Sequence, residues 1–571
     1  MGLLFLVGGG LFLFFQWIYP YHLFFKEQIQ LFLTTPGYFF SLVEEPAGLS
    51  KYIGEFFTQF FYLRGGGPLV LSVWLLTYFL VVFFVLTTFF SKTPFLFILA
   101  LFPVLGEFLM HTHVEYYLSS TVAMVLTIGL FLIYSRITRP FFSKTFGLVL
   151  IPLIYWIAGF HVFTFTILVL IHRLRIKNSF GLYEGLMVLF AFLIPFAGRY
   201  FFTWSLEKAF LVPYVDFTYL GGVFVFLFTI VAALFLIRWY ALKRYLVTGI
   251  TGVFLLIMIL AGIGYYPHYN REKVFAVGTE AYFGNWTRVY KKARVFDMKN
   301  TIVSYYANIA LARQDKLPSE LLDFYQPFNQ SLFLDVGPES DRVSVFYSGD
   351  VFFELGDMNL AQHSVMLGKI FSPKNRSSRM VRQLAEINLV IGEIDAAKKY
   401  LRILKQTLFH KEWALDLLRR VKNSEPLPRY LLQKQNLLPA KDILRKGGEY
   451  VSGLEVLVES NPENYMALDY LLCYHLLNKD LKSFKEAFDK YYDVERPGMP
   501  RLYSEALLII HASGDGEVED LREQKIRPKV MNQFMTYTKL YEAEEGYSEE
   551  LEKKFHNTYW FYFHFAKPAH S

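Results

Sequence analysis

The first half of the chain has few charged residues, and the whole chain has a single cysteine. Of the 107 Asp, Glu, Lys and Arg residues, only 24 lie in residues 1–266, about 9% of that stretch. So low a charge content excludes an ordinary soluble domain there. The single Cys473 excludes an internal disulfide and a zinc site built from paired cysteines. The sequence also lacks the P-loop, GxSxG and HExxH motifs of common enzyme classes.

Residues 267–571 hold the other 83 charged residues, about 27% of that stretch, which is ordinary for a soluble domain. We therefore expect a membrane domain over 1–266 and a separate domain over 267–571. The net charge of +7 lies mostly in the first half, in short loops between apolar segments. This distribution predicts contact with membrane lipids and does not fit a basic surface that binds nucleic acid.

About 20 apolar residues cross a bilayer, and eight segments of the first half approach that length. The first segment has no basic region before it and no small-residue cleavage site after it, so we interpret it as a retained helix rather than a signal peptide. The predicted fold class is all-α, a polytopic helical membrane domain followed by a helical solenoid. The segments lie near 3–24, 68–90, 94–110, 117–135, 147–171, 182–198, 218–237 and 245–265.

Basic loops flank the fifth apolar segment on both sides. Loops 136–146 and 172–178 carry three basic residues each, and such loops face the cytoplasm. One span between them would put them on opposite sides of the membrane. Because segment 147–171 contains Pro152 and an Ala-Gly-Phe-His break at 158–161, we predict a hairpin of two short half-helices that enters and leaves on the cytoplasmic face. The basic residues are Arg136, Arg139, Lys144, Arg173, Arg175 and Lys177.

The hairpin decides which side of the membrane the second half occupies. With it, Lys92 and the loop around Arg238 and Lys243 are cytoplasmic, and residues 267–571 lie outside the cytoplasm. The alternative is a plain bundle of eight spans in which one loop violates the charge rule. That alternative places residues 267–571 in the cytoplasm.

The first external loop, 25–67, contains a predicted amphipathic helix. Apolar residues recur from Leu49 to Phe61 at i, i+3, i+4 and i+7, a pattern typical of a helix lying at the membrane surface. The opposite, polar face is predicted to hold Ser50, Lys51, Glu55, Thr58 and Gln59.

From about residue 271 the sequence shows short amphipathic helices separated by glycine-polar turns. Stretches such as RQLAEINLVIGEIDAAKKYLRIL contain a helix, a turn of Gly-Asn, Gly-Asp or Gly-Glu type, and a second helix. They resemble degenerate tetratricopeptide-type (TPR) helical hairpins. Solenoids of this kind usually bind a peptide or pack on a neighbouring protein, so a protein or peptide partner is expected for 267–571.

Acidic residues are scarce in the first half, so each is a candidate functional group. Glu107, His111 and Glu115 are spaced by four residues and would share one helix face if the third helix extends outward. We predict Glu107 as a catalytic carboxylate, and His111 and Glu115 as ligands of a divalent metal. The alternative is a helix end whose polar residues lie in the interfacial zone.

Further candidates lie on the predicted outer face. Glu44 and Glu45 precede the interfacial helix and are predicted catalytic carboxylates, although a solvated pair at a turn gives the same pattern. Arg199 is predicted to hold a lipid phosphate by a bidentate contact, or else extends from a helix end toward water. His161, at the hairpin tip, is expected to be a buried, hydrogen-bonded structural residue.

This arrangement resembles GT-C-type membrane glycosyltransferases, which transfer a sugar from a polyprenyl-phosphate donor. The shared features are an acidic pair and an amphipathic helix in a long first external loop, acidic residues in the next external loop, and paired short helices between basic loops. The resemblance implies a general base at Glu44 or Glu45 and a second acidic site, able to help hold a metal, at Glu107 or Glu115. This sequence has Glu-Glu where the family usually has an Asp-x-Asp-like or Glu-Asp pattern.

The order of a membrane part followed by helical repeats is similar to that of eukaryotic transmembrane-and-TPR O-mannosyltransferases. The stretches AQHSVMLGKIF and NYMALDYLLCYHLLNKDL resemble an uncharacterised family of bacterial membrane proteins. That resemblance implies a bacterial inner-membrane protein with a periplasmic C-terminal domain. Two other functions stay open, a non-enzymatic envelope scaffold whose repeats bind a partner protein and, less favoured by the pattern, a transporter.

Overall fold

The computed structural model describes residues 2–91, 93–177, 180–337, 339–441, 448–493, 498–515 and 526–567. These residues form helices and turns with no strand among them, which confirms the predicted all-helical class. The chain divides into two units, Met1–Glu272 with Gln406–Lys411, and Lys273–Lys405 with Glu412–Ser571. Lys92 and the side chain of Lys177, both predicted to lie in cytoplasmic loops, fall outside the described residues.

The helices of the first unit follow the apolar segments of the sequence. They are α1 (Gly2–Leu13), α2 (Tyr21–Gln28), α3 (Pro36–Val43), α4 (Gly48–Thr58), α5 (Gly66–Phe89), α6 (Phe95–Met110), α7 (Leu118–Ser135), α8 (Pro140–Ala158), α9 (His161–Lys177), α10 (Leu182–Phe202), α11 (Leu206–Leu211), α12 (Gly221–Leu242) and α13 (Arg244–Tyr265). Among the described residues, six helices are long and apolar enough to cross a membrane: α5, α7, α8, α10, α12 with the short turn before it, and α13. Helices α1 and α2 make a seventh if they are counted as one bent span.

The first apolar segment is broken, whereas the sequence suggested one continuous helix. The chain bends by 78° between Leu4–Ile18 and Tyr21–Gln28. The break falls at Pro20, which has no backbone N–H to continue the helical hydrogen bonds and restricts the residue before it. The polar residues of α2 are therefore turned away from the line of α1.

The fifth apolar segment forms two helices that turn at Gly159 and Phe160. Gly159 has φ +61°, and a side chain there would meet the Val212 carbonyl oxygen, so the turn needs glycine. Helices α8 and α9 have 19 and 17 residues, longer than the predicted half-helices because they continue through the flanking basic residues. At the turn, Phe160 N donates to Val212 O at 2.7 Å.

Helix α4 packs with its small residues inward. The sequence pattern placed Ser50 and Thr58 on a polar, outward face, but both are buried, and Gly54 lies against α7. A Cβ at Gly54 would lie 2.5 Å from the Ser119 backbone nitrogen. Small residues let two helices approach closely. The Ser50 hydroxyl donates to the carbonyl of Ala47, just before α4, and the Thr58 hydroxyl donates to that of Gly54.

The segment Gln406–Lys411 belongs to the first unit, although it lies far along the chain. Gln406 O accepts hydrogen bonds from both the backbone and the hydroxyl of Thr34, at 2.7 and 2.8 Å. The ring of Phe409 stacks on Tyr62, and Leu408 N donates to Gln59 Oε1 at 3.3 Å. No periodicity in the sequence indicated this connection.

The second unit is a succession of helices, many of which pack on the next helix along the chain. They are α14 (Tyr269–Tyr282), which begins at the end of the first unit, then α15 (Trp286–Phe296), α16 (Thr301–Ala312), α17 (Leu317–Glu320), α18 (Arg342–Tyr347), α19 (Gly349–Leu355), α20 (Met358–Phe371), α21 (Ser378–Ile391), α22 (Ile394–Leu404), α23 (Lys411–Lys422), α24 (Arg429–Gln435), α25 (Tyr450–Ser460), α26 (Tyr465–Leu477), α27 (Leu481–Tyr491), α28 (Arg501–Ile510), α29 (Pro528–Ala543), α30 (Glu549–Phe555) and α31 (Tyr559–Phe565). Gly356 and Gly392 end α19 and α21 with positive φ, as C-terminal glycines commonly do.

Candidate functional site

Glu107 is a fully buried carboxylate inside apolar helices. It lies near the end of α6, and its Oε2 accepts hydrogen bonds from the Tyr116 hydroxyl at 2.8 Å and the Thr121 hydroxyl at 2.7 Å. Its Oε1 is buried without a hydrogen-bond partner and faces α12 at Gly222, where a Cβ would lie 2.5 Å from that oxygen. One carboxylate oxygen therefore accepts two hydrogen bonds, while the other accepts none.

His111 joins Glu107 through Thr121. The hydroxyl of Thr121 has one proton and donates it to Glu107. Its contact with His111 Nε2, at 2.8 Å, must then be donated by a protonated Nε2 of the imidazole. The structure thus brings together Glu107 and His111, two of the predicted site residues, through one bridging hydroxyl.

Two further polar residues of this cluster come from α2 and were not predicted. Buried Lys26 donates from Nζ to the carbonyl oxygens of His111 and Tyr116, both at 3.0 Å. His22 Nε2 donates to the same His111 carbonyl at 3.1 Å, since a carbonyl only accepts. The His111 carbonyl is at the C-terminal end of α6, where a helix leaves acceptors unpaired and favours a positive charge, and the Tyr116 carbonyl lies just before α7. The signal in the sequence was a His and a Lys close after Pro20, near the end of the first apolar segment.

Tyrosine hydroxyls surround the carboxylate. Three of these hydroxyls lie close enough to Glu107 to interact electrostatically with its carboxylate, those of Tyr78, Tyr116 and Tyr214. The Tyr78 hydroxyl is buried without a hydrogen-bond partner, whereas that of Tyr214 lies 2.9 Å from His161 Nε2. His161 is thus buried and hydrogen-bonded, as expected from its place at the turn. Polar groups from separate helices and loops converge on one region of an apolar unit.

A divalent metal does not fit the predicted ligands. Glu115 is only half-buried, and its Oε2 accepts from the Tyr219 hydroxyl at 3.4 Å. His111 uses Nε2 on Thr121. Within the part of the chain that the structure describes, no group of three His, Cys, Asp or Glu side chains lies close enough to hold a metal ion.

The predicted first-loop carboxylates lie apart from this cluster. Glu44 is exposed, and Glu45, half-buried, has its Oε2 3.5 Å from Lys51 Nζ. Lys51 and Lys208 both lie against the Trp204 ring, at 5.6 and 4.2 Å from its centroid. Among the described residues no hydrogen bond or ion pair links Glu44 or Glu45 to Glu107.

Arg199 is half-buried near the end of α10. Its guanidinium lies 5.6 Å from the centre of the neighbouring Tyr200 ring. Tyr200 and Phe201 beside it are exposed aromatic residues. The arrangement suits a cationic side chain at the edge of an apolar surface. Among the described residues, no hydrogen bond or ion pair joins Arg199 to Glu44, Glu45 or Glu107.

The second unit holds buried ion pairs of its own. Lys434 Nζ lies 2.6 Å from Glu354 Oε2, and Arg313 donates to the same oxygen. Burial alone would raise the pKa of Glu354, but the Lys434 ammonium and the Arg313 guanidinium hold it below its ordinary value. Burial lowers the pKa of Lys434 in turn. These groups are fully engaged with each other, which fits a structural role in tying α24 to α19.

The second unit also has a cleft of about 320 Å³ beside the start of α20 and α22. Apolar side chains and a few polar ones line it, with both charge signs represented by Asp357, Glu393 and Lys441.

Comparison with known sequences and structures gives a family but no activity. The model of one protein family, described as "Family of unknown function (DUF6057)", matches residues 1–566. Neither the curated proteins nor the solved structures contain a match to this chain.

Proposed function

We propose, for a chain that belongs to the DUF6057 family, a role as a multi-pass transferase of the bacterial inner membrane that moves a sugar from a polyprenyl-phosphate donor to an envelope acceptor. The observation that carries the proposal is the asymmetric hydrogen bonding of Glu107. Burying a carboxylate oxygen without a partner is unfavourable, and charged groups among apolar helices are functional candidates by default. Chemistry at Glu107 explains this arrangement better than packing does.

In the proposed reaction Glu107 is the general base. Its Oε1 takes the proton of an acceptor hydroxyl, while the oxygen of that hydroxyl bonds to the anomeric carbon of the sugar. The bond from this carbon to the phosphate oxygen breaks, and the polyprenyl phosphate leaves as an anion. Tyr116 and Thr121 orient the carboxylate through Oε2, and Arg199 is proposed to hold the phosphate. Oε1 faces Gly222 of α12, so the proposed reaction requires α12 to separate from α6 to admit substrate.

We propose nine membrane crossings, by α1, α5 to α10, α12 and α13. The turn at Gly159 contacts Val212, in the loop between α11 and α12, and Ala47 N of the first loop donates to the Tyr155 carbonyl near the same turn. Both contacts support a turn at the outer face, and we propose that α8 and α9 each cross fully. With this topology both basic loops are cytoplasmic, and residues 267–571, proposed to be a TPR-like solenoid, are periplasmic.

Reporter fusions test this topology. We expect fusions at Pro140, Arg175 and Tyr240 to be cytoplasmic and a fusion at Asn300 to be periplasmic, because basic loops stay inside. Paired alkaline phosphatase and fluorescent-protein reporters measure both states. Opposite sides for Pro140 and Arg175 would show that one of α8 and α9 does not cross, and the orientation of the second unit would then be reversed.

A transfer assay tests the activity itself. Protein purified in detergent and reconstituted into liposomes should consume polyprenyl-phosphate sugars, releasing polyprenyl phosphate when envelope glycans or periplasmic protein are added. The measurement is chromatographic separation of radiolabelled donor and product lipid. The Glu107→Gln protein, prepared in the same way, controls for contaminating transferases. Intact donor with every sugar tried, in a folded preparation, contradicts the proposal.

A second candidate function is a scaffold that binds a partner protein, and the cleft of the second unit favours it. In that case affinity purification should recover a partner whose binding is lost when Val456→Arg blocks the cleft wall. Glu107→Gln would leave such binding unchanged. A scaffold therefore loses partner binding in Val456→Arg alone, whereas a transferase loses donor consumption in Glu107→Gln.

A further inference from the structure

Tyr155, near the end of α8, holds three separate segments of the first unit together. Its carbonyl accepts from Ala47 N at 3.2 Å, and its hydroxyl donates to the Ala209 carbonyl at 3.0 Å. The same hydroxyl lies against Gly198, where a Cβ would be 2.9 Å from the oxygen. The start of α4, the last turns of α10 and helix α11 therefore meet around one residue.

Each of these three segments carries a basic residue. Arg199 and Lys208 are direct sequence neighbours of the residues that contact Tyr155, and Lys51 lies one turn into α4. The ammonium groups of Lys51 and Lys208 lie 5.6 and 4.2 Å from the centre of the Trp204 ring, and cations are attracted to the face of an indole. The backbone N–H of Trp204 donates to the Arg199 carbonyl at 3.1 Å. Helices α4, α10 and α11 therefore bring three positive charges to the surroundings of Trp204.

Two of these charges are not neutralised by a neighbouring carboxylate. Lys51 Nζ has Glu45 Oε2 3.5 Å away. Within the part of the chain that the structure describes, Arg199 and Lys208 contact aromatic rings and form no ion pair, not even with Glu207 beside Lys208 in the sequence. Like charges held close together repel each other, and an anion between them removes that repulsion. The site therefore suits a negatively charged group with several acceptor oxygens, such as a phosphate.

An exposed apolar face of α10 begins at Arg199. Phe196 and Phe192 precede it by three and seven residues, so the three side chains share one face of the helix, and the two rings are 44% and 55% exposed. Phe201, just after Arg199, is 88% exposed. A cation at the end of an exposed apolar helix face matches a lipid, in which a charged headgroup and a hydrocarbon chain are joined. A free phosphate would make no use of that face.

We infer that Arg199, Lys208 and Lys51 around Trp204 form a binding site for the phosphate group of a membrane lipid, whose hydrocarbon chain lies along the exposed face of α10. The inference deepens the proposed function, in which Arg199 holds the donor phosphate, and rests on its statement that the first unit spans the membrane. It does not need transfer activity. Two kinds of lipid share the required chemistry, a polyprenyl phosphate and an anionic phospholipid.

Native mass spectrometry of the full-length protein in detergent counts bound lipids and tests the site. The probes are polyprenyl phosphate and phosphatidylglycerol, with phosphatidylcholine, which has no net charge, as the control lipid. We expect one tight site for an anionic lipid. Lys208→Gln and Arg199→Gln should each weaken binding about fivefold, the factor for one basic residue near an anionic lipid. Lys243→Gln, which changes an exposed lysine at the other end of α12, is the matched control and should leave that binding unchanged.

The outcomes separate the site from the transferase proposal. Either anionic lipid bound in this way supports the site, and the one that binds more tightly is its occupant. Equal binding of phosphatidylcholine, equal weakening by Lys243→Gln, or release of the lipid by inorganic phosphate alone overturns a lipid-phosphate site. Donor consumption by a protein that shows no such site overturns the site and leaves the transferase standing. Binding by the site without donor consumption leaves the site standing and contradicts the transferase.

Discussion

We expect Glu107→Gln to lower transferase activity by about 10²–10⁴-fold, the usual contribution of a general base, while the amount of folded protein stays the same. Glutamine keeps the shape of glutamate, and its amide oxygen can take the place of Oε2 and accept from Tyr116 and Thr121. The amide nitrogen then occupies the position of Oε1, which has no partner to lose. The substitution therefore removes basicity with little change in packing.

The first-loop carboxylates provide the matched controls. Glu44→Gln and Glu45→Gln change groups that are exposed or half-buried, where such substitutions usually change stability by less than about 0.5 kcal/mol. If the base is Glu107, both variants keep activity. If the base lies in the loop, as the resemblance to GT-C enzymes implies, one of these two variants loses activity. Activity per folded molecule, from the donor-consumption assay and quantitative immunoblots, separates the two cases.

Hydrophobic length predicted most of the first unit, because a crossing helix must be apolar over about 20 residues whatever it packs against. The pattern of apolar residues could not predict where the chain bends or turns within a segment. The bend at Pro20 and the turn at Gly159 each depend on a single residue. The path of the chain at such a residue also depends on neighbours distant in the sequence, such as Val212 beside Gly159. The inward face of α4 was misassigned for a similar reason. Ser50 and Thr58 count as polar by composition, but their hydroxyls donate to carbonyls in or just before their own helix and allow it to lie close to α7.

The candidate site was only partly predictable. Glu107 stood out because a carboxylate in an apolar run is rare and unfavourable. Lys26 and His22 act on α6 from more than eighty positions away in the sequence, and no spacing rule connects them. The metal prediction relied on a helical face shared by Glu107, His111 and Glu115. Because α6 ends at Met110, Glu115 lies beyond the helix and does not share that face.

The largest stability effect is expected from the buried pair of Arg379 and Asp350 in the second unit. Arg379 Nη2 lies 2.5 Å from Asp350 Oδ2, which also accepts from the Tyr306 hydroxyl at 2.6 Å. Burial would lower the pKa of Arg379, but the Asp350 carboxylate raises it above its ordinary value. Arg379→Met removes the cation and leaves the carboxylate buried with only neutral donors, Tyr306 and Gln383. Removing one partner of a buried pair typically destabilises by about 3–5 kcal/mol.

The exposed pair of Arg419 and Asp416, at 2.7 Å, is the matched control, because Arg419→Met removes the same group where water screens it. Exposed pairs contribute little to stability, because water and salt screen them. Urea unfolding of the full-length protein in detergent, read by pulse proteolysis with an antibody against the C-terminus, measures both variants. The double variant Arg379→Met/Asp350→Leu should be less destabilised than Arg379→Met, since it removes the unpaired charge as well. Equal midpoints for Arg379→Met and Arg419→Met would show that the second unit does not depend on this buried pair, and that its α14–α16–α19–α21 core tolerates an isolated carboxylate.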